Sequence, residues 1–159
     1  MELVDKILQH PKYKKYLKLN AKAEKKRKFC RHDLQHALDT ARVAYILSLE
    51  NNLGLSKDIV YTAALLHDIA KWKQYKDKVD HALEGAVLAG EILRDVGVNE
   101  AEIEMITEAI WSHRTKGEKK LPLSHVLYWG DKSCRLCIQC GMVEECDWYE
   151  DGKEPVLDY

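Results

Sequence analysis

The chain has 159 residues, 46% hydrophobic and 32% charged, with a net charge of -1. That is enough for one domain with a hydrophobic core, and the balanced charge gives no reason to expect nucleic-acid binding. It contains no run of 18 apolar residues and no basic-then-apolar leader, so neither a membrane span nor secretion is expected.

Residues 2–9 and 11–27 read as two helices broken at His10-Pro11. The second is basic: Lys12 to Lys28 holds nine Lys or Arg residues against one acid, Glu24. Such a stretch reads as a solvated helix face, or as a field that draws in anionic substrates. Phe29-Cys30-Arg31 is a short connection. A long helix follows from Asp33 to about Asn51, with Leu34, Leu38, Ala41, Tyr45 and Leu49 at helical spacing. His32 and His36 are four apart and face the same way. Ser56 suits the N-cap of a helix that runs through an apolar stretch to His67-Asp68. Trp72 to Lys78 reads as a polar connector.

Asp80 caps a helix over His81 to Asp95, with Leu83, Val87, Gly90 and Leu93 near one stripe. Asn99 and Glu102 resemble a capping box. The next helix places Ile103, Ile106, Ile110 and His113 on one face. Lys116-Gly117-Glu118 reads as a loop. Pro122 suits the first turn of a last helix, on which Ser124, Leu127, Tyr128, Asp131 and Arg135 share a face. Periodicity fades after Gly141, and the last dozen residues read as irregular. With no convincing strand, the expected fold is all-α: basic N-terminal helices over 1–28, a helical core domain over 29–140, and an acidic, cysteine-containing tail over 141–159.

Imidazoles and carboxylates together suit Fe, Mn, Co, Ni or Zn rather than Ca. His36, His67, Asp68, His81, His113 and Asp131 exceed what one tetrahedral ion needs, and would serve a pair of divalent ions bridged by Asp68. Two ions about 3.5–4 Å apart clamp the attacking and leaving oxygens of a phosphoryl displacement, and a bound ion lowers the pKa of water from about 15.7 to near 7. That is worth on the order of 12 kcal/mol, more than any lone general base here supplies at neutral pH. Lys71, Arg114, Lys116 and Arg135 follow these residues closely, and each is placed to hold a phosphate oxygen or simply to lie on the surface. Lys71 and Arg135 are the stronger candidates, although Arg135 is also placed to pair with Asp131 at i,i+4. His32 is placed to orient His36 or a carboxylate, to contact substrate, or simply to lie on the surface at a helix start.

The order His36, His67-Asp68, His81, His113, Asp131 resembles the HD-domain superfamily of metal-dependent phosphohydrolases. So do the local words His36-Ala-Leu-Asp-Thr-Ala-Arg, Ala64-Leu-Leu-His-Asp-Ile-Ala-Lys, His81-Ala-Leu-Glu-Gly-Ala, Ala109-Ile-Trp-Ser-His113 and Trp129-Gly-Asp131-Lys132. The resemblance covers about residues 29 to 136. It implies an all-helical HD bundle that hydrolyses phosphate esters or anhydrides with a metal-bound hydroxide, often on nucleotides. By position, His36, His67, Asp68 and Asp131 would hold one ion, and His81 and His113 with Asp68 the second. The branch it most resembles hydrolyses diadenosine tetraphosphate and related dinucleotides. The competing expectation is a catalytically silent HD-domain nucleotide sensor. Nucleic acid bound through the Lys12–Lys28 stretch is a weaker alternative.

Five cysteines without a leader fit a reducing cytoplasm, where thiols serve metals or packing. Cys134, Cys137, Cys140 and Cys146 are separated by two, two and five residues. They read as small buried thiols, or as ligands of a structural zinc or an iron–sulfur cluster. If Cys134 stays on the helix face with Asp131, the set becomes Cys30, Cys137, Cys140 and Cys146, with Cys134 the substitute.

Overall fold

Among the described residues eight α-helices carry the fold: α1 Glu2–Gln9, α2 Pro11–Ala23, α3 Leu34–Glu50, α4 Lys57–Leu66, α5 Lys71–Asp77, α6 His81–Asp95, α7 Glu100–Ser112 and α8 Pro122–Ser133. The structure is a computed structural model, and it describes residues 1–115, 121–152 and 154–159. No strand occurs among the described residues, as expected for an all-α chain. The expected loop at Lys116-Gly117-Glu118, and Lys116 as a phosphate contact, lie outside them.

The helix starts are written in the sequence. Asp33 accepts from the His36 N–H, Ser56 from Ile59, Asp80 from Ala82 and Asn99 from Glu102. Each cap satisfies a backbone N–H that has no partner inside the helix. Pro11 and Pro122 occupy first-turn positions, where the missing N–H costs nothing.

α4 lies at the centre, packed on α3, α7, α1 and α8. Leu65, Leu66 and Ile69 at its end are fully buried with Ile92, Leu93, Ile106, Ile110 and Leu127. The core therefore closes around the point where His67 and Asp68 emerge. α3 packs along α8, α6 along α7, and α2 on α5.

Four expectations change. Trp72 to Lys78 is not a connector: Lys71–Asp77 is helical. Its pattern shows only two aromatic positions, and docking on α2 supplies the rest: Trp72 stacks on Tyr16, and its N–H donates to Asn20 Oδ1 at 2.8 Å. On α6, Leu83 and Val87 are more than half exposed, while Ala82, Gly85, Ala89 and Ile92 face inward. On α3, Leu34 and Leu49 point outward, and Ala37, Thr40, Ala41 and Ala44 form the buried face. In both helices small residues face the core because a neighbouring backbone comes close. α2 also stops at Ala23, earlier than the expected 27.

Gly130 on α8 shows how close that approach is. A Cβ there would stand 2.8 Å from the Thr40 carbonyl oxygen and 2.9 Å from the Ala44 Cβ. Gly130→Ala should therefore push α8 off α3, at a cost of about 1–3 kcal/mol. Thermal denaturation checks this: the Tm should fall by roughly 2–4 °C per kcal/mol for a chain of this size. An unchanged Tm would mean the helices are free to separate.

Candidate metal centre

Five segments deliver six polar side chains to one buried point. His36 lies in the first turn of α3, His67 and Asp68 in the turn that ends α4, His81 at the first position of α6, His113 at the end of α7 and Asp131 in the last turn of α8. All six are buried. Ionic and polar groups are costly there unless paired or bound to a cation.

Asp68 stands between two sets. Its Oδ2 lies 2.9 Å from His67 Nε2 and 3.6 Å from His36 Nε2. Its Oδ1 lies 3.2 Å from His81 Nε2 and 3.6 Å from His113 Nε2. Asp131 Oδ1 closes the first set, 3.1 Å from His36 Nε2 and 3.8 Å from His67 Nε2. In each set one donor atom per residue lies within 4.8 Å of all the others.

These distances fit shared cations. Bonds of about 2.0–2.2 Å from one ion to nitrogen and oxygen ligands place the ligand atoms roughly 3–4 Å apart. The tautomers fit as well. His67 Nδ1 donates to the Ala64 carbonyl at 2.7 Å and His113 Nδ1 to the Ile110 carbonyl at 2.5 Å. With Nδ1 donating, each Nε2 presents a lone pair to the centre. His67 Nε2 and Asp68 Oδ1 are buried without a hydrogen-bond partner, although Oδ1 stands near two imidazoles. Close approach without hydrogen-bond geometry is what a bridging cation relieves. The residues present therefore fit two divalent ions, with Asp68 offering one oxygen to each.

The charges are uneven. Burial opposes protonation of His36, but hydrogen bonds to Asp131 and Asp68 push it up to about 11. Burial likewise opposes charge on His67, and the Asp68 carboxylate raises it to about 9. At His81 burial wins over Asp68, and the imidazole falls to about 4. Both aspartates stay well below the usual carboxylate range: burial disfavours their charge, but the surrounding imidazoles outweigh it.

The expected phosphate contacts sit at opposite ends. Lys71 Nζ lies 3.3 Å from His81 Nε2, and burial lowers its pKa. Arg135 Nη2 reaches Asp131 Oδ1 at 2.8 Å and lies 3.3 Å from His36 Nε2. Lys132 Nζ takes the other Asp131 oxygen at 2.7 Å. Arg114, half exposed, pairs with Asp80, the residue before His81. Cys134 stays on the α8 side, with Sγ 3.6 Å from His36 Nδ1 and 3.4 Å from Thr40 Oγ1.

His32 is buried rather than on the surface. Its Nδ1 pairs with Glu24 Oε1, and its N–H donates to Glu24 Oε2 at 2.8 Å. Its Nε2 lies 3.8 Å from Asp68 Oδ2. Burial favours charge loss at Glu24, yet His32 and Tyr75 hold it ionised down to about 2. Burial also lowers His32, which overrides the nearby carboxylates. The pair is thus a carboxylate accepting from a neutral imidazole. Glu24 and Asn20, whose Nδ2 donates to the Asp68 carbonyl at 2.9 Å, are supports the sequence reading missed. The signal for Glu24 was its position as the one acid in a basic run.

The chain matches the model of the HD domain family over residues 33–150. A protein of Clostridium beijerinckii, named only as uncharacterized, is 43% identical over 153 residues, covering 96% of each chain. A ribonuclease Y of Chloroflexus aurantiacus is 34% identical over 82 residues, 52% of this chain but only 16% of that protein. Among solved structures, a crystal structure of a predicted HD superfamily hydrolase from an uncultured Thermotogales bacterium aligns with a TM-score of 0.58 and 27% identity. That alignment covers 75% of this chain and 66% of the other.

Proposed function

The chain belongs to the HD domain family, and from that premise we propose that it is a metal-dependent phosphohydrolase acting on a phosphorylated small molecule, with nucleotides and dinucleoside polyphosphates the favoured class. The observation that carries this reading is Asp68, whose two oxygens each face a separate pair of imidazoles. Ions held there supply Lewis acidity and acidified water.

The chain's own groups do the rest. His36, His67, Asp68 and Asp131 hold one ion; His81, His113 and Asp68 hold the other. Asp131 is fixed by Lys132 and Arg135. Lys71 and Arg135 flank the centre and hold phosphoryl oxygens, with Arg114 at the rim; Arg suits the bidentate contact. His32, aligned by Glu24, presents Nε2 towards Asp68 and accepts a proton there. No helix among the described residues is long and apolar enough to cross a membrane, and we place the protein in the cytoplasm.

Phosphate release from a panel of mononucleotides and dinucleoside polyphosphates, with Mn, Fe, Co or Ni, tests the reading. The ribonuclease Y match makes a short RNA the natural additional substrate. Turnover of at least one nucleotide supports the proposal; tight binding without turnover would make the protein a sensor.

Two further outcomes follow. Glu24→Gln keeps the shape but loses the charge that orients His32. It should lower kcat by about 10–100-fold, the usual effect of removing a group that orients another, with little change in KM. An equal loss in KM alone would place Glu24 in substrate binding. Metal loading should also depend on pH, because ligands must be deprotonated to bind. In metal-free protein His36 and His67 keep protons to about 11 and about 9, while His81 is already neutral below pH 7. The first set should therefore release protons on binding and lose affinity as pH falls, and the second should do so far less. Calorimetry in buffers of different ionisation enthalpy reads this directly. Two ions binding with no proton release would contradict it.

A further inference from the structure

Four thiols outside the metal centre line one pocket of about 340 Å³: Cys30, Cys137, Cys140 and Cys146. They come from two parts of the chain, the segment before α3 and the tail after α8. Cys137 and Cys140 bound the single 3₁₀ turn Cys137–Gln139, and Cys146 follows the turn Val143–Glu145. All four are free and half-buried. Cys134 is held elsewhere, against His36 and Thr40.

The hydrophobic core does not hold this tail. From Lys132 to Tyr149 no side chain is buried, and Leu136 and Ile138 are more than half exposed. A segment with defined turns and no buried apolar anchor needs another fastening, and metal ligation is the usual one where a core is lacking. The spacing of the thiols decides which kind. A tetrahedral zinc with Zn–S bonds of about 2.3 Å holds its sulfurs about 3.8 Å apart. Among the described residues, the groups whose ligand atoms all lie within 4.8 Å of one another contain no cysteine. No three of the four sulfurs therefore stand as close together as one zinc would hold them, although all four line the same pocket. An iron–sulfur cluster, whose thiolates bind the corners of a cage, spreads them in this way. The lining sets three cations, Arg27, Lys132 and Arg135, against two acids, Glu145 and Asp147, which leaves a positive balance for a negatively charged cluster.

We propose that Cys30, Cys137, Cys140 and Cys146 ligate a four-iron, four-sulfide cluster that staples the tail to the segment leading into α3. Each thiol gives up its proton as an Fe–S bond forms. The iron and sulfide arrive as a preformed cluster held by four carrier thiolates, which leave as thiols and take up the four protons as these cysteines replace them, so ligation needs no oxidant or reductant. The staple sets Arg135 and His32, both lining the same pocket, against the neighbouring His and Asp residues. The inference stands apart from the hydrolytic reading.

Protein purified without oxygen, or treated without oxygen with a preformed thiolate-ligated four-iron, four-sulfide cluster, tests it. The expected product is brown, with about four iron and about four acid-labile sulfide per chain beyond any iron at the histidines. Mössbauer spectra should show sulfur-ligated iron distinct from iron on imidazole and carboxylate. Cys30→Ser and Cys140→Ser should lose the sulfide, and Cys134→Ser should keep it. The wild-type sulfide content stands even if a variant fails to fold. No labile sulfide after reconstitution, or one zinc on the thiols in its place, would overturn the proposal. Colourless protein that hydrolyses nucleotides would sink the cluster alone; brown protein without turnover would sink only the hydrolase.

Discussion

Asp68→Ala should abolish turnover and strip both ions from the protein. Among the described residues no other side chain belongs to both sets: Oδ2 serves the side of His36 and His67, and Oδ1 the side of His81 and His113. Without the carboxylate each set loses its shared anion, and the imidazoles left facing one another repel a second positive charge. Removing one preorganised electrostatic group from an active site already costs about 10²–10³ in rate, and here two ions go with it. The loss should exceed ~10³-fold. Elemental analysis of the variant reads the cause beside the rate. A variant that keeps two ions and fails only in rate would show that Asp68 is not the bridge. Retained activity would place the hydrolytic site somewhere other than this centre.

The second large effect separates the two halves. His81→Ala should leave one ion in place and remove the other, because His36, His67, Asp68 and Asp131 form a complete set without it. Substrate should still bind through the remaining ion and Arg135, so kcat should fall far more than KM rises. A tenfold fall is about 1.4 kcal/mol of transition-state stabilisation, and the loss of one of two clamping ions should exceed ~10²-fold. His36→Ala should do the converse, leaving the second half occupied more weakly, because His81, His113 and Asp68 alone make a three-ligand site. Equal metal loss in both variants would mean that the halves do not load independently.

The order of the candidate metal ligands was legible because each sits where a helix begins or ends, and caps and periodicity mark those points. Asp80 before His81, Asp33 before His36 and the apolar run into His67-Asp68 place three of them without reference to the fold. His113 and Asp131 follow from faces shared with Ile106, Ile110 and Leu127, all buried. What failed was the reading of α3 and α6, where size was taken as a guide to burial. Alanine, glycine and threonine make up much of the buried stripes there, beside Leu88, Ile92 and Leu93 on α6, because α8 and the turn at His67 come within contact of those backbones. Gly85 shows it: a Cβ would lie 3.3 Å from the His67 carbonyl oxygen. Close packing of this kind depends on the partner helix, which local periodicity does not report.

The supports of the centre were harder to read for a related reason. Asn20 lies 48 residues before the Asp68 carbonyl it holds, and Glu24, although only eight residues from His32, caps a helix whose composition reads as a solvated basic face. Only the packing of α2 on α5 turns them inward. Tyr75 then donates to Glu24 Oε1 at 2.7 Å from within the segment expected to be a connector. That expectation failed because α5 has too few apolar positions to show a period of its own.

Crystals grown with manganese, measured for anomalous scattering, test the bridging role of Asp68 most directly. Two peaks about 3.5–4 Å apart, one beside each Asp68 oxygen, are the predicted result. A single peak, or ions bound away from His36, His67, His81, His113 and Asp131, would contradict it.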